Sequence, residues 1–157
     1  MAAHVVEIRR HDYLDPVVQQ LIGEVQDEYV VRYGDADRSP VDPAEFTPPR
    51  GAVLLAWCDD DAVASVALRA VPDTPATAEV KRLYVRRHHR RRGLGRTLLR
   101  AAEDRARAMG YRRVILETGT RQPESLRLYA SEGYHRIPGY GYYAHQPQTV
   151  CFGKDLR

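Results

Sequence analysis

Ala78-Glu79-Val80-Lys81-Arg82-Leu83-Tyr84-Val85 is followed, after four basic residues, by Arg90-Arg91-Arg92-Gly93-Leu94-Gly95-Arg96-Thr97-Leu98-Leu99. The first run alternates and is β-prone, the last has helical spacing, and between them lies a basic loop with two glycines. Strand, Gly-containing loop and helix form an anion site. The first N–H groups of a helix have no intrahelical partner and sit at the positive end of its dipole. Gly93 and Gly95 let the backbone approach where a Cβ would obstruct, and the arginines add fork-shaped charged donors. The stretch therefore points to a phosphate-bearing ligand held at 90–96.

The rest of the chain bounds what such a site can serve. A length of 157 residues suggests one domain with a sizeable core, and 43% hydrophobic with 29% charged residues is ordinary for a globular protein. No apolar run approaches a membrane span, and residues 1–10 lack an apolar signal core, so a cytoplasmic protein with no membrane partner is expected. Cys58 and Cys151 lack metal-ligand spacing and read as buried thiols in a reducing compartment. The net charge of +3 hides an asymmetry: Lys81–Arg113 holds 13 basic residues against Glu103 and Asp104, while residues 1–80 hold 15 acidic against 6 basic. An anion on the loop, and a cation approaching Asp27, Glu28, Asp35 and Asp37, are the two ligands this split suggests.

Element by element, Val5–Arg9 reads as a strand. Asp15–Tyr33 reads as an amphipathic helix, with Val18, Leu21, Ile22, Val25 and Tyr29 on one side. Asp15 is its N-cap, Pro16 its first residue and Gly34 its stop. Residues 35–51 read as a loop with a turn at Pro43–Phe46. Val53–Cys58 and Ala62–Ala70 form a hairpin through Asp59-Asp60-Asp61, and Thr77–Val85 is the next strand. Leu94–Met109 is a helix ended by Gly110. Arg113–Glu117 is a strand, Pro123–Ser131 a helix and Val150–Lys154 a last strand. An aromatic loop carrying Tyr134, Tyr140, Tyr142 and Tyr143 precedes that strand. The order predicts a mixed α/β (α+β) sheet.

Residues 79–99 resemble the acetyl-CoA motif of the GNAT superfamily of N-acetyltransferases: a strand ending in Val85, then Arg90-x-x-Gly93-x-Gly95, then a helix. Gln122-Pro123-Glu124-Ser125-Leu126-Arg127-Leu128-Tyr129-Ala130-Ser131-Glu132-Gly133-Tyr134 is similar to a second block of that family. The resemblance implies a GNAT fold, with a mostly antiparallel central sheet flanked by helices on both faces, as a single N-acetyltransferase domain over 1–157. It implies acetyl-CoA as co-substrate, no metal, a small-molecule amine partner and a possible homodimer. Leu83, Tyr84 and Val85 would meet the pantetheine arm, and Arg90, Arg91, Arg92, Gly93, Leu94, Gly95 and Arg96 the pyrophosphate. Gln122 and Ser125 stand where the family has Asn and Ala, so the cofactor contact at Gln122 is one methylene longer. Tyr129 matches the residue assigned as general acid to the departing thiolate.

Amine acetylation requires a neutral amine, a donor to the oxyanion and a proton for the thiolate. Glu79, on the strand beside the thioester, is the first candidate base. Its alternative is an exposed carboxylate paired with Lys81 or Arg82. Glu117, ending the neighbouring strand, is the second candidate, and Tyr140, Tyr142 and Tyr143 are expected to line the acceptor pocket. Two rival readings stay open: a non-catalytic acyl-CoA sensor, and a nucleic-acid-binding module using Arg86–Arg96. Against the latter, no aromatic residues interleave with the arginines and no nucleic-acid partner is expected.

Overall fold

Strand Ala52–Cys58 shows how the layers are built, because both of its faces are apolar. Leu54 and Ala56 belong to one buried cluster and Val53 and Leu55 to another, as expected of a strand with helices on both sides. In the computed structural model, which describes residues 6–157, the elements run β1 (Val6–His11), α1 (Pro16–Tyr33), β2 (Ala52–Cys58), β3 (Asp61–Ala70), β4 (Thr77–Val85), α2 (Leu94–Ala108), β5 (Arg113–Gly119), α3 (Pro123–Ser131), β6 (His135–Ile137) and β7 (Thr149–Asp155). The sheet order is β1-β2-β3-β4-β5-β7-β6. Among these neighbours β4–β5 is the parallel pair, and the others are antiparallel.

Helix α1 starts where the sequence signals it. The Asp15 side chain accepts from the Val17 N–H, Pro16 is the first residue, and Gly34 closes the helix at φ 82°. Its buried Val18 and Leu21 pack with Phe46 of the 3-10 turn Pro43–Phe46 against Val53, Leu55 and Ala67. The opposite face carries α2 through Leu94, Leu98, Leu99, Ala102 and Ala106, and joins Tyr129, Tyr134 and Phe152 in one cluster. Glu103 is buried under α2 and is satisfied there, accepting from the Tyr134 hydroxyl at 2.8 Å and from Lys154 at 3.0 Å.

Two sequence expectations change, and a third lies outside the described residues. His135–Ile137, read as loop, is a short strand on β7; three mostly exposed residues between Gly133 and Pro138 carry no periodic signal. Cys58 is half-buried rather than buried. Val5, the expected start of β1, lies outside the described residues. Among the described residues no helix is long and apolar enough to cross a membrane.

Candidate active site

The site arises from two irregularities in β4. First, β4 pairs with β5 only from Thr77↔Arg113 to Glu79↔Ile115. Beyond that point the two strands part, leaving Leu83–Val85 on one side of a wedge and Glu117–Gly119 on the other. Second, the register with β3 shifts between Ser65 and Ala67, and Arg82 takes φ 55°, the left-handed region. This is a β-bulge, which bends a strand and re-aims its side chains. Two cavities open from the wedge, and Gln122 at the start of α3 lines both.

The first cavity is a cleft of about 590 Å³. Of the residues expected to bind the cofactor, Leu83, Tyr84, Val85, Arg90, Arg91, Gly93, Leu94, Gly95, Arg96, Gln122 and Ser125 line it, and Arg92 does not. Gly93 caps α2 at φ 77°, and the first turn of α2 contains no acidic residue. The N–H groups there have no intrahelical partner, an arrangement able to hold an anion. A Cβ on Gly95 would lie 3.4 Å from Leu128 and 3.8 Å from Val85, so the glycine keeps the cleft floor low.

Several arginines around the loop already have partners within the protein. Arg90 donates to the Val85 carbonyl at 2.8 Å and to Glu28 at 2.6 Å. Arg86 makes a bidentate pair with Glu24, at 2.9 and 2.7 Å. Arg96 turns toward the end of α3, reaching Glu132 at 2.5 Å and Ser131 at 2.9 Å. The charges of Arg86, Arg90 and Arg96 are thus partly offset by Glu24, Glu28 and Glu132, which leaves the backbone N–H groups and Arg91 toward the cleft. The contribution of α1 (Val25, Glu28 and Arg32 line the cleft) has no local sequence signal.

The second cavity, about 760 Å³, is bounded by α1, the loop after it, β4, β5 and the aromatic loop. Glu117, Tyr142 and Tyr143 line it as expected, whereas Tyr140 lines neither cavity. The Tyr140 hydroxyl donates to Glu79 at 2.8 Å instead. Glu79 is buried, also lines neither cavity, and accepts from Arg69 at 2.9 Å. Both of its oxygens therefore hold β3, β4 and the aromatic loop together, and the expected pairing with Lys81 or Arg82 is replaced by Arg69. The Tyr143 hydroxyl accepts from the Arg38 N–H at 2.6 Å, linking the aromatic loop to the loop after α1.

Glu117 is placed differently. Its Oε2 is buried and has no hydrogen-bond partner. Burial pushes the carboxyl up to about 7, and the nearby Glu79 and Asp37 act in the same direction against Lys81 and Arg69. A cavity-lining carboxylate poised near neutrality is suited to proton transfer. Tyr129 lies in the core, with its ring edge-on to Tyr134 at 5.7 Å and tilted on Phe152 at 5.8 Å. Burial raises its hydroxyl well above the ordinary tyrosine value, so it stays protonated at neutral pH. It lines neither cavity but is close enough to Tyr29 of α1 to act on it electrostatically. Among the described residues no group of His, Cys, Asp and Glu could hold a metal ion.

Residues 18–134 match the model of the acetyltransferase (GNAT) family. A protein of Azospirillum brasilense named IAA acetyltransferase is 30% identical over 151 residues, covering 96% of this chain and 98% of that protein. A Klebsiella pneumoniae structure assigned as an acyl-CoA N-acyltransferase superposes with a TM-score of 0.80 at 26% identity, covering 97% of this chain and 98% of the other. A GNAT-family acetyltransferase from Elizabethkingia anophelis, solved with acetyl-CoA bound, has a TM-score of 0.67 at 18% identity, over 96% and 98% of the two chains.

Proposed function

The chain belongs to the acetyltransferase (GNAT) family, and from that premise we propose that it moves an acetyl group from acetyl-CoA to a primary amine by direct attack in a ternary complex. The observation that carries this is the junction of two cavities at one wedge. One has a bare helix N-terminus, the other a carboxylate of raised pKa, and Gln122 lines both. That arrangement suits two substrates bound together, which converts a bimolecular step into an effectively intramolecular one.

In this mechanism the first turn of α2 holds the pyrophosphate, and the Leu83–Val85 backbone aligns the pantetheine arm toward the wedge. The amine nitrogen attacks the thioester carbon and the C–S bond breaks. Glu117 takes the proton lost by nitrogen, and Tyr129, given the general-acid role by the family resemblance although it lines neither cavity, gives its hydroxyl proton to the thiolate. A backbone N–H at the bulge near Leu83 stabilises the oxyanion. Glu79, expected from sequence to be the base, acts here as a structural anchor, because Arg69 and Tyr140 occupy it. The test is a panel of amines with acetyl-CoA, reading free thiol and acetylated product. Product formed with no covalent acetyl-protein detectable by mass spectrometry supports direct transfer. CoA binding with no turnover of any amine would favour the sensor reading.

A further inference from the structure

Resting on the amine-acetylation reading above, we propose that the acceptor is a small aminocarboxylate, its carboxylate held by Arg82 and Lys81 while its amino group faces Glu117. The inference starts from the β4 bulge. Consecutive strand residues normally point to opposite faces, yet Lys81 and Arg82 both line the 760 Å³ cavity. The left-handed turn at Arg82, φ 55°, is what re-aims its side chain. Two basic side chains thereby enter one cavity, only 5% and 9% exposed.

These cations are only partly satisfied. Arg82 donates through Nη1 to the Tyr13 hydroxyl at 2.9 Å, but its buried Nε has no hydrogen-bond partner. Lys81 donates to Ser39 at 3.0 Å and stands 3.5 Å from Asp37. Asp37 is also 3.7 Å from the Arg82 Nε. Burial pushes Asp37 up, but Lys81, Ser39 and Arg82 more than offset it, so Asp37 is ionised at neutral pH. One carboxylate is shared between two buried cations, Glu117 is the next acid that Lys81 acts on, and Arg82 keeps an unpartnered N–H. A buried donor without a partner is costly until an acceptor meets it.

Charge complementarity then selects the ligand. At the cavity mouth Asp35 and Arg38 neutralise each other at 2.6 Å. Inside, a ligand carboxylate balances the Lys81, Arg82 and Asp37 group, and a ligand ammonium balances ionised Glu117. An aminocarboxylate leaves neither half in excess. A simple alkylamine leaves the basic half unmet, and a diamine places a second cation against it. Of the four acidic residues that the sequence offered to a cationic acceptor, Glu28 pairs with Arg90 at 2.6 Å, Asp35 with Arg38, and Asp37 with Lys81 and Arg82, while Asp27 is exposed and lines neither cavity. The cavity volume is within the range of small-molecule sites.

The experiment uses the full chain and amines of matched length ending in a carboxylate, a methyl or a second ammonium: 4-aminobutanoate, 1-aminobutane and 1,4-diaminobutane, with the shorter and longer members of each series. Thiol release from acetyl-CoA gives kcat/KM, and the thermal shift of the CoA-loaded protein reports binding without turnover. The best aminocarboxylate should exceed its methyl-ended match by about tenfold or more, mostly through KM, the size expected of a charge-assisted hydrogen bond. Arg82→Gln should bring that ratio close to one. If methyl-ended or diamine members bind and react as well as the acids, or if no member binds, the inference fails. Selective binding of the acids without thiol release would keep the inference and overturn acetyl transfer. Turnover confined to neutral amines would do the reverse. The comparison within the unsubstituted protein decides even if Arg82→Gln does not fold.

Discussion

Replacing Glu117 by glutamine tests the base directly. Glutamine keeps the shape of the side chain and removes its proton affinity. With a pKa of about 7, roughly half of the carboxyls are ionised at pH 7, about a tenth at pH 6 and about a hundredth at pH 5. A positioned general base contributes about 10²- to 10⁴-fold to the rate. The ratio of kcat/KM between the wild type and Glu117→Gln should therefore be about 10² to 10⁴ above pH 8. It should shrink about tenfold per pH unit below pH 7, because the wild type is then protonated and resembles the variant. The assay is thiol release from pH 5 to 9 at fixed ionic strength, with acetyl-CoA saturating. Stability supplies an independent check. The folded-state pKa is raised, so the stability this group contributes is present below the ordinary carboxylate value and lost as pH rises through about 7. The variant should match the wild type in Tm near pH 4 and exceed it above pH 7. A ratio that does not vary from pH 5 to 9 refutes the assignment, and so does a ratio near one throughout.

Three further outcomes follow from the same geometry. Glu79→Gln should keep the break but move it below pH 7, since Glu79 helps raise the Glu117 carboxyl, and should lower stability by about 1–3 kcal/mol, since Arg69 and Tyr140 lose a charged acceptor; loss of the break would return the base role to Glu79. Gly95→Glu places a carboxylate against the anion cradle, where like charges at about 4 Å repel by about 4 kcal/mol at an effective dielectric of 20, so calorimetry should show CoA affinity falling more than about a hundredfold in a folded variant. Tyr129→Phe should lower kcat by about 10²-fold with CoA affinity unchanged, and a wild-type kcat would remove Tyr129 from the mechanism.

Most of the fold was legible because its signals are local. Asp15-Pro16 and Gly34 bracket α1, three aspartates mark the β2–β3 hairpin, and Gly93-Leu94-Gly95 marks the start of α2. What the sequence did not disclose depends on distant partners. Glu79 and Glu117 sit on adjacent parallel strands and look equivalent in one dimension. They differ because Glu79 meets Arg69 and Tyr140, 10 and 61 residues away, while Glu117 Oε2 meets nothing. The wedge itself is a failure of pairing beyond Glu79↔Ile115, and a missing hydrogen bond leaves no trace in composition.

In the sequence alone the charge split suggests two separate ligands, and its resolution in three dimensions is more economical. Glu24 and Glu28, from the acidic first half, reach across 62 residues to Arg86 and Arg90. Glu132 does the same for Arg96 and Arg100. These charges are thus spent on docking α1 against the loop that leads into α2, on tying the end of α3 to α2 itself, and on relieving repulsion among crowded arginines. Such pairs contribute position more than stability, since partly exposed ion pairs are worth little individually. Once they are set aside, two residues that line the second cavity each keep a buried polar atom with no hydrogen-bond partner, Glu117 Oε2 and Arg82 Nε. One suits a proton from an amine and the other a lone pair from an anion, so charges that cancel across the protein point, by what they leave uncancelled, to the two ends of one substrate.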